Sequence, residues 1–250
     1  MFAANVSILF TERPFLERFA AAREAGFAAV EFWWPSEPPA AVARAAAGLR
    51  VALINFDGGD VAAGDRGLIN DPAREARFRA NVPVALELAR AVGCEQLNAL
   101  VGLALPGVSR SVQLARAAEN VRFAARAVAP RRVLIEAINT HDHGPYLLTS
   151  TADAAAFVRA VGEPNVALQY DVFHMARMGE DVAAALREHI GLIAHVQIAD
   201  HPGRGEPGSG DLDFPALFGL LEELGYDGYI SAEYVPTRRT EETLQSWMPS

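Results

Sequence analysis

Short apolar segments alternate with longer amphipathic segments along the whole chain. The longer segments are rich in alanine and arginine, carry apolar residues at helical spacing, and in several cases end in glycine, the preferred residue just after a helix. The apolar segments predict strands at residues 4–9, 28–33, 50–55, 96–101, 132–138, 166–171, 193–199 and 228–234. Alternating strand and helix patterns are typical of βα units around a parallel sheet. The pattern therefore predicts an α/β fold, a single (β/α)8 TIM barrel over residues 1–250.

Each of the last four predicted strands carries one oxygen-bearing side chain at its end: Glu136, Asp171, Gln197 and Glu233. In barrels of this kind the active site lies at the C-terminal ends of the strands, so we expect these side chains to converge there. Three carboxylates and an amide form an oxygen-only ligand set, which favours Mg²⁺ or Mn²⁺ as the cofactor and makes Zn²⁺ the second choice. Asn98, near the end of the fourth predicted strand, belongs to the same ring, and we expect it to bind substrate.

Composition and charge limit the kinds of ligand that the chain can bind. The formal net charge of −9 at pH 7 argues against nucleic acid, because phosphate binding needs a basic surface. All 22 basic residues are arginines, which excludes Schiff-base and phosphate-binding lysine chemistry. No apolar run approaches the ~18 residues of a membrane span, and a lone cysteine, Cys94, fits a reducing cytoplasm. We therefore expect a cytoplasmic protein that binds a small molecule, with apolar helix faces that are compatible with a homo-oligomer.

Histidine and arginine residues near the predicted strand ends are candidates for substrate binding. His174 stands three residues after Asp171, just beyond the sixth strand, where it can hydrogen-bond a substrate oxygen. Arg204 lies in the glycine-rich segment 199–214 and can hold a substrate carboxylate through its planar guanidinium; a plain surface-loop position is the competing interpretation. His143 follows the fifth strand and is expected in a solvated loop; a place in the pocket wall is the competing interpretation.

Six segments, taken in order and spacing, carry a family resemblance: NVSILFTERPFLERFAAAREAGFAAVEF (5–32), AAGDRG (62–67), LIEAIN (134–139), QYDVFHMARM (169–178), HVQIADHPGRGEPGSG (195–210) and AEY (232–234). Together they make the chain similar, over nearly its whole length, to the hydroxypyruvate isomerase family of xylose isomerase-like TIM barrels. The resemblance implies an acid and base pair, Glu136 and Glu233. It implies the metal ligands Glu136, Asp171, Gln197 and Glu233. It also implies substrate-binding or substrate-orienting roles for His174, Arg204 and Glu206.

The resulting hypothesis is a metal-dependent isomerase that interconverts an α-hydroxyketone and an α-hydroxyaldehyde through an enediolate. Hydroxypyruvate and tartronate semialdehyde are the leading substrate pair. The third-strand loop, INFDGGDV (54–61), departs from the family's usual His-Asn or Phe-Asn pair followed by proline and glycine, and therefore leaves other substrates open. These are a 2-oxo-tetronate, a ketose that undergoes 3-epimerisation, and an inosose. A DNA-repair endonuclease would need a histidine-rich trinuclear zinc site and a basic groove, and a non-catalytic barrel would bind metal or ligand without turnover.

Overall fold

Eight parallel strands, each paired with the next in chain order, close into a barrel in the computed structural model, which describes residues 1–248. The strands are β1 (Phe2–Asn5), β2 (Ala29–Phe32), β3 (Arg50–Asn55), β4 (Gln96–Asn98), β5 (Arg132–Glu136), β6 (Val166–Asp171), β7 (Ile193–Ile198) and β8 (Ile230–Ala232). The predicted fold class is confirmed, and the third and sixth strands have the predicted bounds.

The first strand is shorter and earlier than its predicted range of 4–9. It ends at Asn5, whose backbone carbonyl oxygen accepts hydrogen bonds from the amides of Ile8 (3.2 Å) and Leu9 (2.9 Å). Val6 and Leu9 are fully buried, but they lie in this turn and not in the sheet. The apolar pattern therefore predicted burial correctly and extended backbone wrongly.

Helices connect the strands and surround the barrel. They are α1 (Phe15–Glu24), α2 (Pro39–Ala45), α3 (Glu75–Val92), α4 (Arg110–Val128), α5 (Thr140–His143), α6 (Thr151–Val161), α7 (Val172–Arg177), α8 (Val182–His189), α9 (Phe214–Glu223) and α10 (Thr240–Leu244), with a short 3-10 turn at Ile190–Leu192. Gly93 ends α3 in the left-handed conformation (φ 67°), as its position in the sequence predicts. Within residues 1–248, no helix combines the length and apolarity needed to cross a bilayer.

The barrel interior changes from small apolar to polar side chains along the strands. Toward the N-terminal ends, Ala3, Ala29 and Ala52 of β1, β2 and β3 form a small apolar cluster. Two residues further along β1 and β2, on the same side of each strand, stand Asn5 and Glu31. The main hydrophobic core lies between the strands and the helices. This arrangement leaves the C-terminal end of the barrel interior as a buried polar layer.

Candidate active site

The four side chains at the predicted strand ends lie at one end of the barrel. Glu136 and Asp171 are the last residues of β5 and β6. Gln197 is the next-to-last residue of β7, and Glu233 directly follows β8. Asp171 is the register partner of Gln197, and all four residues are at most 5 % exposed. The local sequence explains this placement, because each of these polar residues lies at or next to the end of a strand whose apolar residues pack in the core.

A cavity of about 280 Å³ opens at this end of the barrel. The volume is just below the ~300–1,000 Å³ range of ligand pockets, which favours a small substrate. Four of the predicted site residues line the cavity: Glu136, His174, Arg204 and Glu233. Loop residues complete the wall, among them Trp33, Trp34, Arg66 and His143. Asn98 and Glu206 are buried and stand outside the lining.

Burial and mutual repulsion keep the acidic groups of the site from ionising easily. Burial is the main cause that raises the pKa of Glu136 well above its ordinary value, and the charges of Glu233 and Asp171 act in the same direction. Burial also raises the pKa of Glu233 to about 8 and that of Asp171 to about 6, although the guanidinium of Arg204 opposes both shifts. A carboxyl whose pKa lies near neutral pH is suited to both accepting and returning a proton.

Arg204 lies against the acidic groups and not on the surface. Its Nη2 is 3.2 Å from Oε1 of Glu233 and 4.0 Å from Oδ2 of Asp171, and its guanidinium carbon is 5.3 Å from the centre of the Phe173 ring. Arg204 has a positive φ of 56°, which is uncommon for a residue other than glycine and is found where surrounding structure fixes the backbone. The same Glu233 oxygen accepts a hydrogen bond from Nε1 of Trp33 (3.1 Å).

The loop that carries Arg204 is held from both sides. Asp200, fully buried, accepts hydrogen bonds through Oδ2 from the backbone amides of Gly208 and Gly210, both at 2.8 Å. Glu206 accepts from the backbone amide of Thr237 (3.1 Å) and from the Thr237 hydroxyl (2.5 Å). Glu206 therefore fixes the loop that presents Arg204 and makes no direct contribution to the cavity wall.

Asn98 acts on Glu136 in a similar way. Its Nδ2 donates a 3.0 Å hydrogen bond to Oε2 of Glu136, and the asparagine is fully buried. This hydrogen bond stabilises the ionised carboxylate and partly opposes the effect of burial on the pKa of Glu136. In this structure Asn98 orients a cavity residue and does not face the cavity itself.

The hydrogen bonds of His174 define its tautomer. Oδ1 of Asn139 accepts from the amide of Asp142 (2.9 Å), which turns Nδ2 of Asn139 toward Nδ1 of His174 at 2.7 Å. Because Nδ2 is a donor, Nδ1 must accept, and the proton of the neutral ring lies on Nε2. Burial, and then the charge of Arg204, lower the pKa of His174 well below its ordinary value, which keeps the ring neutral. His174 thus offers an N–H donor at the cavity.

The strand-end cluster also fits a divalent cation. Donor atoms of Glu136, Asp171 and His174 lie within 4.8 Å of one another, and all three residues are buried. The Nε2 proton makes His174 a better donor to a substrate oxygen than a metal ligand, whereas the carboxylates are hard-cation ligands. Their raised pKa values reflect negative charge that a cation would relieve. The donor chemistry of the site is therefore consistent with a bound Mg²⁺ or Mn²⁺.

A buried network lies beneath Gln197, and its contacts were not predicted from the sequence. Glu31 accepts from Nδ2 of Asn5 (2.9 Å) and Nε2 of Gln197 (2.7 Å), and its other oxygen contacts Nε2 of His195 at 2.5 Å. Oε1 of Gln197 accepts from Gln169. β7 and β2 are not neighbours in the sheet, so this contact crosses the barrel interior. The i, i+2 spacing of His195 and Gln197 and of Gln169 and Asp171 is the sequence signal for these inward-facing pairs.

His143 is half-buried and lines the cavity, which corrects the expectation of a solvated loop. Its ring stands edge-on to that of His174, with the centroids 5.2 Å apart. Nδ1 of His143 accepts a 2.9 Å hydrogen bond from Nε of Arg66, a residue of the loop that follows β3. Sequence reasoning did not single out Arg66.

Comparison with known proteins identifies the family. The family model of xylose isomerase-like TIM barrels matches residues 19–250. The chain is 44 % identical to the 2-oxo-tetronate isomerase of Cupriavidus necator, over 99 % of this chain and 96 % of that protein. It is 39 % identical to the hydroxypyruvate isomerase of Escherichia coli, over 99 % of this chain and 97 % of that protein. A crystal structure described as an AP endonuclease, family 2, from Brucella melitensis superimposes with a TM-score of 0.93 at 41 % identity, covering 97 % of this chain and 96 % of that chain. The chain therefore belongs to the xylose isomerase-like TIM barrel family and, with isomerases as full-length relatives, is itself an isomerase.

Proposed function

We propose that the protein interconverts hydroxypyruvate and tartronate semialdehyde. The observation that carries this proposal is the pair of buried carboxyl groups, Glu136 and Glu233, which line one small cavity. Isomerisation of an α-hydroxyketone needs a group that removes a proton from carbon and a group that returns one to the adjacent carbon. Two carboxyl groups that face the same cavity meet that need. The full-length relatedness to hydroxypyruvate isomerases supports this choice of substrate.

The reaction begins at the hydroxymethyl carbon of hydroxypyruvate. One glutamate accepts a proton from that carbon, which leaves an enediolate across the two adjacent carbons. The other glutamate supplies a proton to the carbon that carried the carbonyl group, and the former hydroxymethyl carbon becomes the aldehyde. The protons balance: one leaves the hydroxymethyl carbon and one is added to the neighbouring carbon, while the hydroxyl proton passes from the oxygen of the first carbon to the oxygen of the second. At the end the first glutamate is protonated and the second is ionised, and proton exchange with solvent restores the starting state. The small buried cavity limits access of water to the enediolate.

We propose Glu136, Asp171, Gln197 and Glu233 as the ligands of a divalent cation, Mg²⁺ or Mn²⁺. When bound, such a cation supplies positive charge that stabilises the oxygens of the enediolate. The carboxylate cluster supports this assignment through its buried and mutually repelling charges. To bind the ion, Oε1 of Gln197 would have to give up the hydrogen bond that it accepts from Gln169. Only the position of Gln197 near the end of β7 supports its role as a ligand.

The remaining predicted residues are proposed to bind or orient the substrate in different ways. His174 donates from Nε2 to a substrate oxygen, and Arg204 lines the cavity beside Glu233. Asn98 orients Glu136, and Glu206 holds the loop of Arg204, so both act on substrate through a cavity residue. This division follows from the contacts that each side chain makes.

A four-carbon 2-oxo acid is the second candidate substrate, because a relative of 44 % identity is named a 2-oxo-tetronate isomerase. Hydroxypyruvate, a 2-oxo-tetronate and an uncharged ketose, assayed side by side, distinguish the acid substrates from the substrate of a 3-epimerase. The proposal predicts a kcat/KM for an acid substrate that exceeds that for the ketose. A preference for the ketose would refute it.

Glu136→Gln and Glu233→Gln test the acid and base roles. Each substitution keeps the size of the side chain and removes its ability to accept a proton, so turnover should fall by about 10²- to 10⁴-fold. The secondary structure should persist, as checked by circular dichroism. Activity within about tenfold of the wild type in either variant would contradict the assigned role.

A further inference from the structure

Arg66 is a cavity residue whose positive charge has no carboxylate partner. It lines the same cavity as Glu136 and Glu233, yet among residues 1–248 it forms no salt bridge, whereas Arg204 pairs with Glu233. The neighbouring Asp65 is held by Arg74, through a 2.6 Å hydrogen bond from Nη1 to Oδ1 and a second bond between Nη2 and Oδ2. The charge of Arg66 is therefore available to a ligand.

Backbone oxygens hold the Arg66 guanidinium in place. Nη1 donates to the carbonyl oxygens of Val61 (3.0 Å) and Asp65 (2.7 Å), and Nε donates to Nδ1 of His143 (2.9 Å). Within the described part of the chain, Nη2 has no hydrogen-bond partner. The next residue, Gly67, has a φ of 115° and packs its Cα against the backbone of Leu100, which fixes the loop on the barrel. The side chain is thus pre-organised, and within residues 1–248 both N–H groups of Nη2 are unused.

His143 adds a neutral donor beside this guanidinium. Because its Nδ1 accepts from Arg66, the proton of the neutral ring lies on Nε2. Burial, followed by the charges of Arg204 and Arg66, lowers the pKa of His143 to about 4, so the ring is neutral at pH 7. Nε2 has no hydrogen-bond partner among residues 1–248. Arg66 and His143 together present N–H groups of the kind that bind a carboxylate.

We propose that Arg66 and His143 form the carboxylate-binding end of the cavity and select 2-oxo or hydroxy acids over uncharged sugars. This inference rests on the proposed isomerisation for the orientation of the substrate, but not for the binding site itself. Burial and the charge of Arg204 both disfavour a charged Arg66, and an anionic ligand would offset that cost. The charges of Glu136 and Glu233 repel a carboxylate, so the acid group points to Arg66 and the hydroxyl and carbonyl carbons point to the glutamates.

The test compares two ligands that differ in the carboxylate. Hydroxypyruvate carries the acid group, and dihydroxyacetone has an uncharged hydroxymethyl group in its place. Binding of each to Arg66→Gln and wild-type protein, with Mg²⁺ present, is measured by calorimetry and by the fluorescence of Trp33 and Trp34, which line the cavity. Arg126→Gln is the matched control, because Arg126 is 71 % exposed and pairs with Glu163 on the surface.

The expected result is a loss of hydroxypyruvate affinity by about 10- to 100-fold in Arg66→Gln, with dihydroxyacetone affinity unchanged and the control unaffected. In steady-state assays the KM for hydroxypyruvate should rise more than kcat falls. Arg66→Lys should show an intermediate loss, because it keeps the charge but loses the hydrogen bonds through which Nε and Nη1 hold the guanidinium in place. This variant also tests the proposal if Arg66→Gln fails to fold, since wild-type affinity in Arg66→Lys would contradict a site that depends on the fixed guanidinium.

Equal losses for both ligands, or no loss for hydroxypyruvate, would overturn the carboxylate site. A different outcome would refute the proposed isomerisation: the wild type binds hydroxypyruvate but leaves it unchanged. In that case a selective loss of acid binding in Arg66→Gln would still support the site. Turnover by the wild type together with an unaffected Arg66→Gln variant would leave the isomerisation standing and refute the site alone.

Discussion

Replacing Glu233 by glutamine should stabilise the metal-free fold while it removes activity. Glu233 is buried, and the charges of Asp171 and Glu31 add to the effect of burial in raising its pKa to about 8. Glutamine keeps the shape of the protonated carboxyl group and can still accept the hydrogen bond from Trp33. The substitution also removes the neighbouring charge that helps raise the pKa of Glu136. A buried carboxyl group that lowers the stability of the fold, as Glu233 does, is consistent with a role in catalysis.

The size of this effect follows from the two pKa values of Glu233. In the unfolded chain the carboxyl titrates near its ordinary value of 4.5, and in the folded protein near 8. The raised folded pKa means that folding is most favoured below pH 4.5 and loses stability as the pH rises toward 8. At pH 7 the loss is about 3 kcal/mol, at roughly 1.4 kcal/mol for each pH unit above the unfolded pKa. Glutamine does not titrate, so the variant should regain up to that amount.

Urea and thermal unfolding in EDTA, at pH 5 and pH 7, measure this difference. At about 2–4 °C per kcal/mol for a chain of this size, the Tm of Glu233→Gln at pH 7 should exceed that of the wild type by roughly 6–12 °C, with a smaller difference at pH 5. Glu223→Gln is the matched control, because Glu223 is exposed and pairs with Arg187; it should show no comparable rise. A Glu233→Gln variant that is less stable than the wild type at pH 7 would refute the reasoning.

Three further predictions concern the tautomer, the loop and the metal. Asn139→Asp should move the His174 proton to Nδ1, because a carboxylate can only accept a hydrogen bond, and should lower kcat by about 10- to 100-fold. ¹⁵N NMR of the imidazole identifies the protonated nitrogen, and a proton on Nε2 in the variant would contradict the assigned tautomer. Gly67→Ala should lower the free energy of unfolding by about 1–3 kcal/mol, since a Cβ at this positive φ would overlap the Leu100 carbonyl. Thermal unfolding measures the change, and a variant as stable as the wild type would show that the loop is not held against Leu100. Chelation by EDTA should abolish turnover and lower the Tm, with recovery on addition of Mg²⁺ or Mn²⁺; full activity in EDTA would exclude a required metal.

The positions of the strand-end residues could be predicted because they depend on a local pattern. Glu136 and Asp171 each end an apolar strand, and the closed parallel barrel brings such ends together. Their raised pKa values could be anticipated only in part, because burial depends on what covers the site. The first strand was misplaced, since Val6 and Leu9 are apolar residues buried in a turn.

Contacts between distant segments were beyond the reach of the sequence. The pairing of Glu31 with His195 crosses the barrel from β2 to β7. The hydrogen bond between Arg66 and His143 joins the loop after β3 to the short helix α5, and the two residues are 77 positions apart in the chain. Asn98 was expected to bind substrate from its position near a strand end, and Glu206 was expected to bind or orient substrate from the family resemblance. Only the three-dimensional contacts reveal that they hold other residues in place.

Proton exchange followed by ¹H NMR in D₂O tests the central claim most directly. Hydroxypyruvate is incubated with metal-stripped protein and then with added Mg²⁺ or Mn²⁺. The account predicts metal-dependent deuterium incorporation at the hydroxymethyl carbon, accompanied by tartronate semialdehyde, and neither change with Glu136→Gln. Absence of exchange with both hydroxypyruvate and the four-carbon 2-oxo acid, in a folded and metal-loaded protein, would contradict the enediolate chemistry assigned to this site.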